Sequence, residues 1–131
     1  MSEQNVERVR RWMEHWQRAG EPLWEDLDPE FEIVDHDIPD AGTYRGPDGV
    51  REWLADFGAA WESFTVEPQE YIDAGDGKVV LLVRLLARGR GSGVSLERLD
   101  GMVWTLRDGK SVRLEYFNSR AAALGAAGLV E

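Results

Sequence analysis

No cysteine occurs anywhere in the 131 residues. That excludes a disulfide framework, a thiolate nucleophile and any metal site built on sulfur. Histidine is scarce as well, with only His15 and His36, so no dedicated metal centre is expected even where acids cluster around His36. No apolar run approaches the length that spans a bilayer. The opening residues MSEQNVERVRRW are charged at once and lack the apolar stretch of a leader. A cytoplasmic, soluble protein is the expectation. Positive charge is in deficit, with 15 Lys and Arg against 25 Asp and Glu, a net charge of −10. A phosphate backbone would be repelled unless a basic face were segregated, and the arginines are scattered among acids. Nucleic acid is therefore not an expected partner. Even Arg8, Arg10 and Arg11 share their stretch with Glu3, Glu7 and Glu14, the pattern of a solvated helix face.

What is present suits one domain spanning residues 1–131. The hydrophobic content is 43% and includes six tryptophans, enough to bury a core at this length. Val6, Val9, Trp12, Met13 and Trp16 recur by threes and fours, so residues 2–19 read as an amphipathic helix with Ser2 as N-cap and Gly20 as its stop. EPLWEDL reads as one or two helical turns ending before Asp28-Pro29. Residues 30–36, with Phe31, Ile33 and Val34, read as a strand. A turn region holding Pro39, Asp40, Gly42 and Gly46 follows, then a second helical stripe of Val50, Trp53, Leu54, Phe57 and Trp61. Residues 64–73, 78–90, 94–106 and 110–117 read as four strands, and Asp108-Gly109 between two of them is a strong hairpin signal. A short C-terminal helix, capped by Ser119 and closed by Gly128, completes the chain. Few helices with long antiparallel strands give an α+β layer architecture.

This order, with the strings LDPEFEIVDHD, TYRGPDGVREWL, VVLLVRLLARGRGSG, VWTLRDGKSVRLEYF and AAALGAAGL, resembles the NTF2-like superfamily. Within it the chain is similar to the SnoaL-like branch of polyketide cyclases and ketosteroid isomerases. The resemblance runs over nearly the whole chain. It implies a cone: a strongly bent antiparallel sheet covered on its concave face by helices, enclosing a largely apolar pocket for a small hydrophobic molecule. It also implies dimerisation through the outer face of the sheet. Residues 78–90 support that on their own, because Val79, Leu81 and Val83 on one parity and Val80 and Leu82 on the other are all apolar. Both faces of that strand should be covered, and a partner subunit is the simplest cover for the outer one.

Candidate chemistry follows from parity. Leu96, Arg98, Asp100, Met102 and Trp104 share one face of their strand. If Trp104 points into the cone, so does Asp100, and a carboxylate enclosed by apolar side chains is a natural general base. Arg84 interrupts an otherwise apolar parity and is the expected charge partner of Asp100. His36 lies roughly where the resemblance places an aspartate base, with Asp35 and Asp37 beside it to orient its ring. The bland readings are that Arg84 and Asp100 form a structural ion pair and that Asp35, His36 and Asp37 are a polar strand end. Trp12, Trp16, Trp53, Phe57, Met102, Trp104 and Tyr116 are the candidate ligand contacts, with Trp53 and Trp104 foremost.

The chain also departs from the family. Where ketosteroid isomerases carry a tyrosine donor on the first helix it has Trp12 and Met13, and their later aspartate donor falls near Met102. Steroid isomerisation is therefore disfavoured. The limonene-epoxide-hydrolase pattern needs an Asp–Arg–Asp group, for which Asp100 and Arg84 supply only part. GRGSG at residues 89–93 lacks the spacing and the lysine of a phosphate loop. The expectation is a small-molecule pocket, cofactor-free, suited to proton transfer, cyclisation or hydration of a polyketide- or terpenoid-like substrate. The alternative is a non-catalytic ligand-binding or dimerisation module.

Overall fold

The computed structural model describes residues 2–37, 43–59 and 61–129. The Ser2 side chain and the turn positions Pro39, Asp40 and Gly42 lie outside that set. Helix α1 runs Ser2–Ala19 and ends where Gly20 takes a positive φ of 77° and donates its N–H to the Trp16 carbonyl. Its apolar stripe seats Val9, Trp12 and Met13 in the core. A single 3₁₀ turn, Trp24–Asp26, then leads into strand β1, Leu27–Asp35.

Strand β1 starts earlier than the pattern suggested and runs through Asp28-Pro29. The proline is tolerated because the pairing of β1 slips between Leu27 and Glu32, so its missing N–H costs no ladder bond. Strand β2, Thr43–Arg45, is too short to show a period in sequence, yet it pairs antiparallel with β1 through Ile33 and Tyr44. Helix α2 spans Gly46–Ala59. Four long strands follow: β3 Trp61–Gly75, β4 Lys78–Gly89, β5 Ser95–Arg107 and β6 Lys110–Phe117. Asp76-Gly77 and Asp108-Gly109 each place two successive residues at positive φ, the backbone of the tight hairpin turn that matches strand twist. Helix α3, Arg120–Ala126, is capped by the Ser119 side chain, which accepts from the Ala122 N–H, and Gly128 follows with φ 82°.

The six strands form one sheet in the order β2-β1-β6-β5-β4-β3. All pairings are antiparallel except β1 with β6, which is parallel and sets Ile33 beside Leu114 and Asp35 beside Tyr116. Register slips at Pro68/Glu70 and Asp73/Gly75 bend the long β3 ribbon. The result is the NTF2-like α+β cone. Val79, Leu81, Val83 and Leu85 face α1 and α2 within the main core. Val80 and Leu82 face outward, and there the cover comes from within the chain: Ala123 of α3 packs with them, Val103 and Phe117. The two-sided apolar strand therefore does not by itself require a partner subunit. Helix α3 sits close because residue 101 is glycine, where a Cβ would meet the Ala123 Cβ at 2.5 Å. Among the described residues no helix is long and apolar enough to cross a membrane.

Candidate functional site

A cavity of about 400 Å³ lies between the two long helices and the concave face of the sheet, within the range of small-ligand sites. Helix α1 contributes Trp16, helix α2 contributes Trp53 and Phe57, and the sheet contributes Met102, Trp104 and Tyr116. These are six of the seven aromatic and Met positions that the sequence pattern singles out. Spacing explains the convergence: residues three and four apart share a helix face, and residues two apart share a sheet face. The rings of Trp53, Phe57 and Tyr116 pack mutually with centroids 5.5–6.2 Å apart. Trp12, the seventh, is not on this wall. It is buried against Trp104 and gives its indole N–H to Asp26 at 2.8 Å, which makes it a pillar between α1 and the 3₁₀ turn.

Tyr116 joins the cavity to a polar cluster behind it. Its hydroxyl donates to Asp100 Oδ2 at 2.5 Å, and Asp100 is fully buried. Arg98, two residues earlier on the same face of β5, grips Asp100 through Nε at 2.6 Å and Nη2 at 3.1 Å. The same Nη2 reaches Asp37 Oδ2 at 2.9 Å, and Asn118 donates to the other oxygen of Asp37. An Asp–Arg–Asp group therefore exists, formed by Asp37, Arg98 and Asp100. Two carboxylates on one guanidinium leave one negative charge in excess inside a largely buried cluster. Asp35 stands beside it, accepting from the Trp53 indole at 2.6 Å and from the Asp37 backbone N–H at 2.8 Å.

Two expected members lie elsewhere. Arg84 is not the partner of Asp100. Val83, not Arg84, stands opposite Asp100, so Arg84 projects from the outer face and pairs with Glu67 and Glu97 at 2.9–3.1 Å. His36 alternates away from Asp35 and Asp37. Its ring stacks on Phe117 at 4.3 Å on the outer side and meets Glu115 at 3.2 Å. The carboxylates flanking it in sequence do not orient it, because neighbours in an extended chain point to opposite faces. Arg98 and Asp37 take the places expected of Arg84 and His36; the signal in the sequence is that Arg98 shares the parity of Asp100.

Burial first, then the hydrogen bond and charge of Asp100, hold the Tyr116 phenol neutral far above its ordinary range, with Arg98 opposing. The guanidinium of Arg98 is stabilised in its charged form, chiefly by its bond to Asp100. Tyr44 is pushed up to about 12, by burial first and then by its bond to Asp56, and Tyr71 is raised mainly by burial. All three tyrosines of the chain are thus shifted the same way. A phenol raised above its unfolded value adds stability that is complete below that value and is lost as pH climbs through the folded one. In an alkaline titration followed by phenolate absorbance, no tyrosine should be half-ionised at pH 10 while the protein stays folded. A phenolate step near pH 10 in the folded protein would contradict this.

Residues 9–114 match the model of the SnoaL-like domain, and the chain belongs to that family. No curated protein matches the sequence. Among solved structures it is similar to an NTF2-like protein from Burkholderia thailandensis E264, at 27% identity and a TM-score of 0.76 over 96% of this chain and 98% of that one. It is also similar to a protein named for the SnoaL-like polyketide cyclases from Jannaschia sp. CCS1, at 22% identity and a TM-score of 0.74 over 100% and 96% of the two chains. TerC co-crystallised with polyporic acid shares the fold, at 21% identity and a TM-score of 0.73 over 95% and 98%.

Proposed function

We propose that the protein binds a small, largely apolar molecule in the cavity and moves a proton between that molecule and Asp100 by way of the Tyr116 hydroxyl. One observation carries this reading: Tyr116 belongs to both places, lining the cavity and donating to the buried carboxylate. Tyr116 stays a phenol, so it acts as a carrier. Its oxygen takes the ligand's proton as its own proton passes to Asp100. Uptake of that proton cancels the excess negative charge of the Asp37–Arg98–Asp100 group, and Arg98 holds both carboxylates in place throughout. Such a step suits removal of a proton next to a carbonyl, or the ring closure that follows it.

Nitrobenzisoxazole is a fitting probe, being a flat aromatic whose acidic C–H, once removed, opens the ring to a coloured phenolate. The protein should turn it over with saturation at neutral pH. Rates equal to those of matched buffer would contradict catalysis, and saturable binding without turnover would favour the non-catalytic ligand-binding module.

The Asp–Arg–Asp group supports a second reading, hydration, in which one member as carboxylate takes a proton from the attacking water and the other, in its protonated carboxylic acid form, gives a proton to the epoxide oxygen. Formation of diol from limonene oxide would distinguish it from proton transfer alone. We also propose a homodimer formed on the outer face of the sheet beside α3, where Leu99 is half exposed. Sedimentation should then report twice the 14.8 kDa of one chain, and a monomer at micromolar concentration would contradict it.

A further inference from the structure

Three tryptophans give their indole N–H to a carboxylate: Trp12 to Asp26, Trp24 to Glu21 and Trp53 to Asp35, at 2.6–2.9 Å. Trp104 does not. It is 1% exposed, and its Nε1 has no hydrogen-bond partner among the described residues. A donor removed from water and left unmatched is costly and uncommon in folded proteins. Trp104 is also a wall of the ligand cavity. The other polar side chains there are engaged or at the rim. Trp53 is bound to Asp35, Tyr116 donates to Asp100, the Gln17 amide donates to the Val66 carbonyl at 2.7 Å, and Thr65 lies exposed.

We propose that the ligand carries a hydrogen-bond acceptor, a carbonyl or ether oxygen on an otherwise apolar ring system, and that this oxygen pairs with Trp104 Nε1. The inference rests on the reading of the cavity as a ligand site and adds the ligand's chemical class and its orientation. Met102 stands opposite Tyr116 and Trp104 opposite Leu114. Trp104 and Tyr116 are therefore diagonal neighbours on adjacent strands, their backbone positions roughly 7–8 Å apart. A ring compound carrying a carbonyl can lie against both side chains, with its oxygen at Trp104 and its exchangeable hydrogen at Tyr116. As the hydrogen leaves, negative charge delocalises onto the oxygen, where a fixed N–H donor stabilises it.

Acetylnaphthalene and ethylnaphthalene differ chiefly in the carbonyl oxygen and serve as paired probes by calorimetry. Trp104→Phe keeps an aromatic ring and removes the N–H. It should weaken acetylnaphthalene binding about tenfold and leave ethylnaphthalene within about twofold. Equal changes for the two compounds, or none, would overturn the inference while leaving the ligand cavity standing. If neither compound binds the wild-type protein, the cavity reading fails and this inference falls with it. Should the variant not fold, the wild-type indole resonances give the same answer. The Trp104 N–H signal should move downfield with acetylnaphthalene and not with ethylnaphthalene, and identical shifts with both would overturn the proposal.

Discussion

An Arg98→Ala variant should lose about 3–5 kcal/mol of stability at neutral pH. The guanidinium makes three hydrogen bonds to two carboxylates, one of them on the fully buried Asp100. Without it, Asp37 and Asp100 share a site with no cation between them, and neither Tyr116 nor Asn118 carries charge to replace it. Urea unfolding of both proteins at neutral pH measures it. A loss below about 1 kcal/mol, the scale of an exposed pair, would contradict the cluster as described.

The second large effect is on turnover. Asp100→Asn should lower kcat for nitrobenzisoxazole about a hundredfold or more, the usual contribution of a positioned acid or base. The amide keeps the shape of the side chain and an acceptor for the Tyr116 hydroxyl, but its NH2 replaces the oxygen that accepts from Arg98 Nε, so folding of the variant is verified by circular dichroism before kcat is read. The amide cannot take up a proton from Tyr116. His36→Ala is the matching control. Its ring stacks on Phe117 and meets Glu115 on the outer face, so kcat should stay within about twofold of wild type. A variant at residue 36 as slow as Asp100→Asn would move the chemistry to the other side of the sheet.

Much of this was legible in the residues, and what was not has physical reasons. The stripe of Trp12, Met13 and Trp16 marks α1 because an isolated helix face needs only local spacing, and Asp108-Gly109 marks its hairpin because both residues accept positive φ. Strand β2 is too short for a period, and the parallel contact of β1 with β6 joins chain segments about 80 residues apart (Asp35 with Tyr116), which no local pattern encodes. Parity correctly grouped Arg98, Asp100, Met102 and Trp104 on one face. The partner of Asp100 was harder to read, because Arg84 and Arg98 both stand near it in the sheet. Deciding between them needs the β4–β5 register, which depends on the conformation of the connection between Gly89 and Ser95. That register sets Val83 opposite Asp100 and turns Arg84 outward. At Asp35-His36-Asp37, residue type pointed to the histidine, whereas strand alternation already required the two aspartates to point together and the ring to point away.

If Tyr116 passes a ligand's proton to Asp100, Tyr116→Phe should split the kinetic constants. Phenylalanine keeps the aromatic wall of the cavity and removes only the hydroxyl that reaches Asp100. With nitrobenzisoxazole, kcat should fall about a hundredfold while KM changes by no more than about threefold, the signature of a group that acts in the transition state. An unchanged kcat would contradict the relay and place the base elsewhere.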